Sequence, residues 1–174
     1  MDPEEIPPET PQETPPYVPK SMLETVVQYI LHYRPDIVAD FNFSRISKHS
    51  HLSFEFFKYY RHFDWDIKSL SRNKSLSWLD ISNNLDFCWD YFYLSNHKDL
   101  DFQFVLQHLD KKWNWDALSC HDNITPEDIT NNINLDWNWN YIARKKNLNV
   151  SFILANLNRF DLSFISNNDI IADD

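Results

Sequence analysis

The chain has 174 residues, 43% of them hydrophobic, 16% aromatic and none of them glycine, with a formal net charge of −10 at pH 7. That length can bury a core, but phosphate-cradling loops, dinucleotide-binding turns and nucleophile elbows use glycine where the backbone meets a ligand or takes positive φ, and those chemistries are disfavoured here. The acidic balance argues against a nucleic-acid partner, because phosphate neutralisation supplies most of such binding.

Residues 1–20 hold seven of the nine prolines, four glutamates and Asp2, with little that is apolar beyond Ile6, Tyr17 and Val18. Such a segment reads as an extended or disordered arm with a polyproline II bias. Pro7, Pro8, Pro15, Pro16 and Tyr17 are its candidate partner-binding residues. The start lacks the basic and apolar regions of a secretory signal. No apolar run reaches the ~20 residues of a membrane span, so a soluble intracellular protein is expected. Cys88 and Cys120, without a Cys-x-x-Cys pair, read as free thiols of a reducing compartment.

Residues 21–174 read as one repeat domain, with 21–50 as N-terminal cap and first unit and 51–170 as regular repeats. Leu23, Val26, Val27, Ile30 and Leu31 share one helical face. Ser21 is the expected cap, Glu24 sits at the capping-box position, and Pro35 is expected to close the helix.

From Phe41 a motif returns every 24 residues: Phe41-Asn42-Phe43, Trp65-Asp66-Ile67, Trp89-Asp90-Tyr91, Trp113-Asn114-Trp115, Trp137-Asn138-Trp139 and, one residue early, Phe160-Asp161-Leu162. Three residues on comes Ile46, Leu70, Leu94, Leu118, Ile142 or Ile165, then a small residue, Ser47, Ser71, Ser95, Ser119, Ala143 or Ser166. A fixed period of this size predicts an all-α solenoid of about five to six helix-turn-helix units behind the N-terminal arm. Its expected core is Trp65, Trp89, Trp113, Trp115, Trp137, Trp139, Leu70, Leu94, Leu118 and Ile142.

Each unit offers two cap positions. Ser53, Ser77, Asp101, Thr125 and Asn149 precede a first helix, with Pro126 at a first helical position. Asn42, Asp66, Asp90, Asn114 and Asn138 precede a second, shorter one. In the first helix a buried stripe is expected over two turns: Ile81, Leu85, Trp89; Val105, Leu109, Trp113; Ile129, Ile133, Trp137; and Ile153, Leu157, Phe160. Arg61 interrupts it, its alkyl stem being expected to cover apolar surface. The second helix is expected to end near Asn73, His97, His121, Lys145 or Asn168, with asparagine taking the left-handed conformation that glycine usually supplies.

Catalytic readings weaken when the units are compared. Asp66, Asp90 and Asp161 share their slot with Asn42, Asn114 and Asn138, which cannot titrate, so the slot asks for capping. His49, His97 and His121 recur once per unit, and packed helices lie ~8–10 Å apart, too far for ligands of one zinc. The recurring serines read as small residues at helix crossings, and Lys111-Lys112 and Arg144-Lys145-Lys146 as solvated basic patches. No catalytic residue, metal ligand or cofactor site is expected.

Asp122-Asn123-Ile124-Thr125-Pro126-Glu127-Asp128-Ile129, followed by Trp137-Asn138-Trp139 and Ile142, resembles the short Trp- and Asn-rich helical repeats of giant nucleocytoplasmic DNA viruses. The resemblance spans roughly residues 41–170 and is best over 76–142, with departures at Phe41-Asn42-Phe43, Leu100-Asp101 and Phe160-Asp161-Leu162. It implies a viral, non-enzymatic repeat protein. The expectation that follows is a structural or scaffold protein whose partners are other proteins, a minor capsid component located in the virion. The alternative is an adaptor that binds a host protein in the cytoplasm during infection.

Overall fold

The structure is a computed structural model and describes residues 17–146, 148–161 and 163. Among these the chain is all-helical and has no strand. A longer helix, α1 (Met22–Tyr33), and a short one, α2 (Pro35–Val38), precede the repeats. Pro35 does more than stop α1. Its fixed φ and missing N–H suit a first helical position, and it opens α2.

Two helical series then interleave. The second helices of the units are α3 (Phe43–Ser47), α5 (Ile67–Leu70), α7 (Tyr91–Leu94), α9 (Trp115–Cys120) and α11 (Trp139–Ile142). The first helices are α4 (Phe54–Tyr59), α6 (Trp78–Ser82), α8 (Phe102–Gln107), α10 (Pro126–Asn131) and α12 (Val150–Ala155). Within each series the starting residues step by 24. Helices this short cannot persist alone, so contacts between them must hold each in place. Successive second helices touch, α3 against α5 and α9 against α11.

The first helices are shorter than the expected stripe requires. Each ends before the middle apolar position, leaving Leu85 44%, Leu109 47% and Leu157 45% exposed, while Ile133 is half-buried. The tryptophans Trp65, Trp89, Trp113 and Trp137 are buried nonetheless. They reach the core from irregular backbone, each closing a tight turn from its own N–H to the carbonyl two residues back, at Phe63, Phe87, Lys111 and Leu135. Their indole nitrogens bond the backbone just past the end of each first helix. Trp65 Nε1 donates to Tyr60 O at 2.8 Å, Trp89 to Asn84 O at 2.9 Å, Trp113 to His108 O at 2.8 Å and Trp137 to Asn132 O at 2.8 Å. Each is a second donor to a carbonyl just past a first helix, which also accepts the backbone N–H three residues on, from Phe63, Phe87, Lys111 or Leu135.

Glycine is dispensable because no described residue has positive φ. The expected left-handed asparagines are therefore absent from the described residues, and Asn168 lies outside them. The second helices end instead in tight turns, Asn73 N–H to Leu70 O, His97 to Leu94, His121 to Leu118 and Lys145 to Ile142.

The core runs through all the units. Leu52, Leu70, Leu76, Leu94, Leu100, Leu118, Ile124 and Ile142 are fully buried or nearly so. Trp115 and Trp139 sit at its half-buried margin instead of inside it. There they serve as edges between units: Trp115 meets Trp137 with ring centroids 5.2 Å apart and planes at 85°, and Trp139 meets Phe160 at 5.2 Å and 87°. Phe43 on Trp65 and Tyr91 on Trp113 repeat the T-shaped arrangement.

The recurring serines are buried, and their hydroxyls also bond across units. Ser47 Oγ accepts the N–H of Asp66 at 3.1 Å, Ser71 that of Asp90 at 2.9 Å, Ser95 that of Asn114 at 2.9 Å and Ser119 that of Asn138 at 2.8 Å. Each buried hydroxyl ties one second helix to the cap of the next. Ser95→Ala should therefore destabilise the protein by about 1–3 kcal/mol, because the Asn114 N–H loses its acceptor away from water. Urea unfolding followed by circular dichroism measures it, and a change within ~0.5 kcal/mol, the range of ordinary surface substitutions, would refute the tie.

Candidate functional site

The cap residues are positioned by the fold as local hydrogen-bond acceptors. At the first helices, the Ser53 and Thr125 hydroxyls accept the N–H groups of Phe56 and Asp128. Ser77 accepts from Asp80, Asp101 from Gln103 and Asn149 from Phe152. Ser77–Asp80 and Thr125–Asp128 form complete capping boxes, and Pro126 occupies a first-turn position of α10. At the second helices Asn42, Asp66 and Asn114 accept from the N–H three residues on, and Asp90 and Asn138 from the N–H two residues on. Asp161 accepts the N–H of Ser163 at 3.0 Å. Carboxylate and amide perform the same task in this slot.

A second polar column crosses from unit to unit at the ends of the second helices. Asn73 Nδ2 donates to Ser47 O at 3.0 Å and His49 O at 3.3 Å. His97 Nε2 lies 3.0 Å from Leu76 O, and His121 Nε2 lies 2.9 Å from His97 O. Lys145 Nζ donates to His121 O. The opposite ring nitrogens, Nδ1 of His97 and His121, accept the N–H groups of Asp99 and Asn123. Both imidazoles thus use their two nitrogens inside the fold, with the proton on Nε2. Lys145 departs from the expected solvated patch: it is only 5% exposed, and burial pulls its ammonium below the usual lysine range. Among the described residues no group of three or more His, Cys, Asp or Glu converges as a metal site would.

At the N-terminal edge the carboxylate of Glu24 organises a cluster that its capping-box position did not announce. Ser21 does cap α1, accepting from Glu24 N–H at 3.1 Å. The Glu24 side chain turns elsewhere, accepting Lys20 N–H at 2.5 Å, the Tyr17 hydroxyl at 2.9 Å and Ser53 N–H at 2.7 Å. It stands in for the acidic partner that Asp80 and Asp128 provide in their own units. Burial would raise its pKa, but the backbone N–H groups of Ser53 and Lys20 and the two hydroxyls outweigh that, and it lies below the usual glutamate value. Burial pushes the Tyr17 phenol up to about 12. The Tyr17 ring packs on Phe56, Tyr59 and Tyr60, and Gln28 Nε2 holds its carbonyl at 2.9 Å. Tyr17 therefore belongs to the first unit. Pro7, Pro8, Pro15 and Pro16 lie outside the described residues.

Asp66 provides a test of capping by acid. The Ser44 hydroxyl at 2.6 Å, then the N–H and hydroxyl of Ser69, hold its carboxyl down at about 2, from a usual 3.8. A folded pKa below the unfolded one stabilises fully above pH 3.8 and loses that contribution as pH falls through about 2. Asp66→Asn, with the amide that Asn114 and Asn138 already use, should stay folded at neutral pH and show a flatter stability profile between pH 4 and about 2. Identical acid profiles for the two chains would remove the assignment.

The surface carries two further features. Leu85, Leu109 and Leu157 repeat at the same place in their units and form an exposed aliphatic series. Ion pairs such as Arg34–Asp36, Arg61–Asp86 and Lys111–Asp110 are solvent-exposed, where such pairs contribute little. Arg61 also lies over the Phe87 ring at 5.3 Å, so its guanidinium covers apolar surface. Cys88 and Cys120 are exposed and unpaired with each other. Among the described residues no helix is long and apolar enough to cross a membrane. Comparison with protein-family models, curated proteins and solved structures finds no match to this chain.

Proposed function

We propose that the chain is a small α-helical solenoid that acts as a non-enzymatic scaffold between other proteins, as a minor component of the virion of a large DNA virus. The observation that carries the scaffold reading is the fate of the recurring polar residues. The serines, histidines and cap acids that a catalytic site would draw on are engaged in hydrogen bonds inside or between units. The exposed leucines Leu85, Leu109 and Leu157, at the same place in their units, support a protein-binding role, since exposed apolar side chains that recur with the repeat favour a partner. The viral assignment rests on the resemblance of residues 122–142 to the Trp- and Asn-rich viral repeats.

The test is quantitative mass spectrometry of purified virions against the recombinant chain as standard. A fixed, substantial ratio to the main capsid protein is expected. Absence from the particle would overturn the virion reading and favour an adaptor for a host protein, for which the same exposed leucines would serve.

A further inference from the structure

On a chain of formal charge −10, an unusual concentration of cations surrounds one cavity. A groove of about 560 Å³ lies between residues 71–74 and 92–98, with Phe92 and Tyr93 on its wall and Arg72, Lys74 and Lys98 around it. Phe92 is 48% exposed there. The Arg72 guanidinium sits 4.9 Å and the Lys68 ammonium 5.3 Å from the centre of the Tyr93 ring. Lys98 has only an exposed contact with its neighbour Asp99 at 3.5 Å. Among the described residues no ion pair engages Lys68, Arg72 or Lys74. Four cations gathered with Asp99 as the carboxylate paired to one of them raise the local potential and attract an anionic occupant. The exposed Phe92 ring adds a preference for proline, whose rigid ring packs on aromatic faces at little entropic cost.

One segment of the chain has that chemistry. Residues 1–16 contain Asp2, Glu4, Glu5, Glu9 and Glu13, no lysine or arginine, and Pro3, Pro7, Pro8, Pro11, Pro15 and Pro16. They lead directly into Tyr17, whose hydroxyl is 3.0 Å from Ser53 Oγ. The carbonyl of Leu52, the preceding residue, accepts from Ser75 Oγ at 3.3 Å, and Ser75 follows Lys74. The anchor of the segment and the edge of the groove are thus joined through two side-chain contacts. At ~3.1 Å per residue a proline-rich stretch of this length can span roughly 50 Å, and attachment at Tyr17 gives it an effective concentration on the order of millimolar. We propose that the groove bounded by Arg72, Lys74 and Lys98 over Phe92 and Tyr93 is the docking site of the chain's own residues 1–16, bound within the same molecule. The docking is independent of which assembly the chain enters, and an acidic, proline-rich partner would compete for the same groove.

Zero-length carbodiimide coupling of the full chain tests this directly, because it joins carboxylates only to amines already in contact. The reaction is run on an equal mixture of nitrogen-14 and nitrogen-15 chains at low and high salt, followed by peptide mapping. The expected result is coupling of Glu5, Glu9 or Glu13 to Lys74 or Lys98 within one isotopic species, reduced at high salt. Arg72→Glu leaves both lysines available and should reduce that coupling at least tenfold, with the circular dichroism unchanged. Coupling no greater than at Lys58, Lys111 and Lys112, or unaffected by Arg72→Glu, would overturn the site. Coupling only between differently labelled chains would overturn docking within the molecule and put the segment on a second copy.

Discussion

Trp113→Ala should destabilise the protein by about 3–5 kcal/mol, the range for removing a large aromatic side chain from a packed core. Trp113 is 7% exposed, its edge meets Tyr91 at 5.1 Å, and its indole N–H donates to His108 O at 2.8 Å. Alanine removes all three contributions. Trp113→Phe retains an aromatic ring against Tyr91 but cannot donate to the end of α8, so about 1–2 kcal/mol of loss is expected for the missing hydrogen bond and the smaller ring. Guanidinium unfolding of the two variants, followed by far-ultraviolet circular dichroism, separates packing from hydrogen bonding. If Phe costs as much as Ala, the indole N–H dominates; if Ala costs under ~1 kcal/mol, the residue is not packed as described.

The second large effect is expected at Glu24, which is fully buried. Glu24→Ala leaves Lys20 N–H, Ser53 N–H and the Tyr17 hydroxyl without their acceptor. With hydrogen bonds to a charged group at about 1.5–3 kcal/mol each, a loss of about 3 kcal/mol or more follows. The damage should concentrate in α1 and α4, as seen by faster amide exchange at Ser53 and Phe56 than at residues of α10. Tyr17→Phe should cost less, and a double-mutant cycle with Glu24→Ala should show coupling of about 0.5–3 kcal/mol. Additive effects would mean that the phenol and the carboxylate act separately. The acid dependence carries the same sign as at Asp66. Glu24 lies below its usual 4.5, so its contribution is full above that pH and fades as pH falls through the folded value.

The Glu24–Ser53 bond joins residues far apart in the chain, and bonds of that kind were the least legible features. The cap positions could be read because capping is local: the Ser77 hydroxyl reaches an N–H three residues on, whatever surrounds the helix. The same locality explains why Asp66, Asp90, Asn114 and Asn138 could be read as one chemical slot. The indole bond of Trp113 spans only five residues, and its signal was the constant distance from Tyr60, Asn84, His108 and Asn132 to the tryptophan that follows each. Helical periodicity alone pointed instead to a longer helix carrying Leu85 and Leu109 inward. The structure ends each first helix before those positions, and the leucines fall on the surface.

The sequence by itself determined the 24-residue period, the two caps per unit, the all-helical class and the burial of Trp65, Trp89, Trp113, Trp137, Leu70, Leu94, Leu118 and Ile142. These follow from side-chain chemistry acting within a few residues and from apolar spacing. Only the tertiary structure decided that Ser95 accepts from Asn114, that His121 and Lys145 span to the preceding unit, and that Glu24 serves Ser53 instead of its own helix. A polar side chain can satisfy any unpaired backbone group within reach, and which group lies within reach is set by how one unit packs on the next.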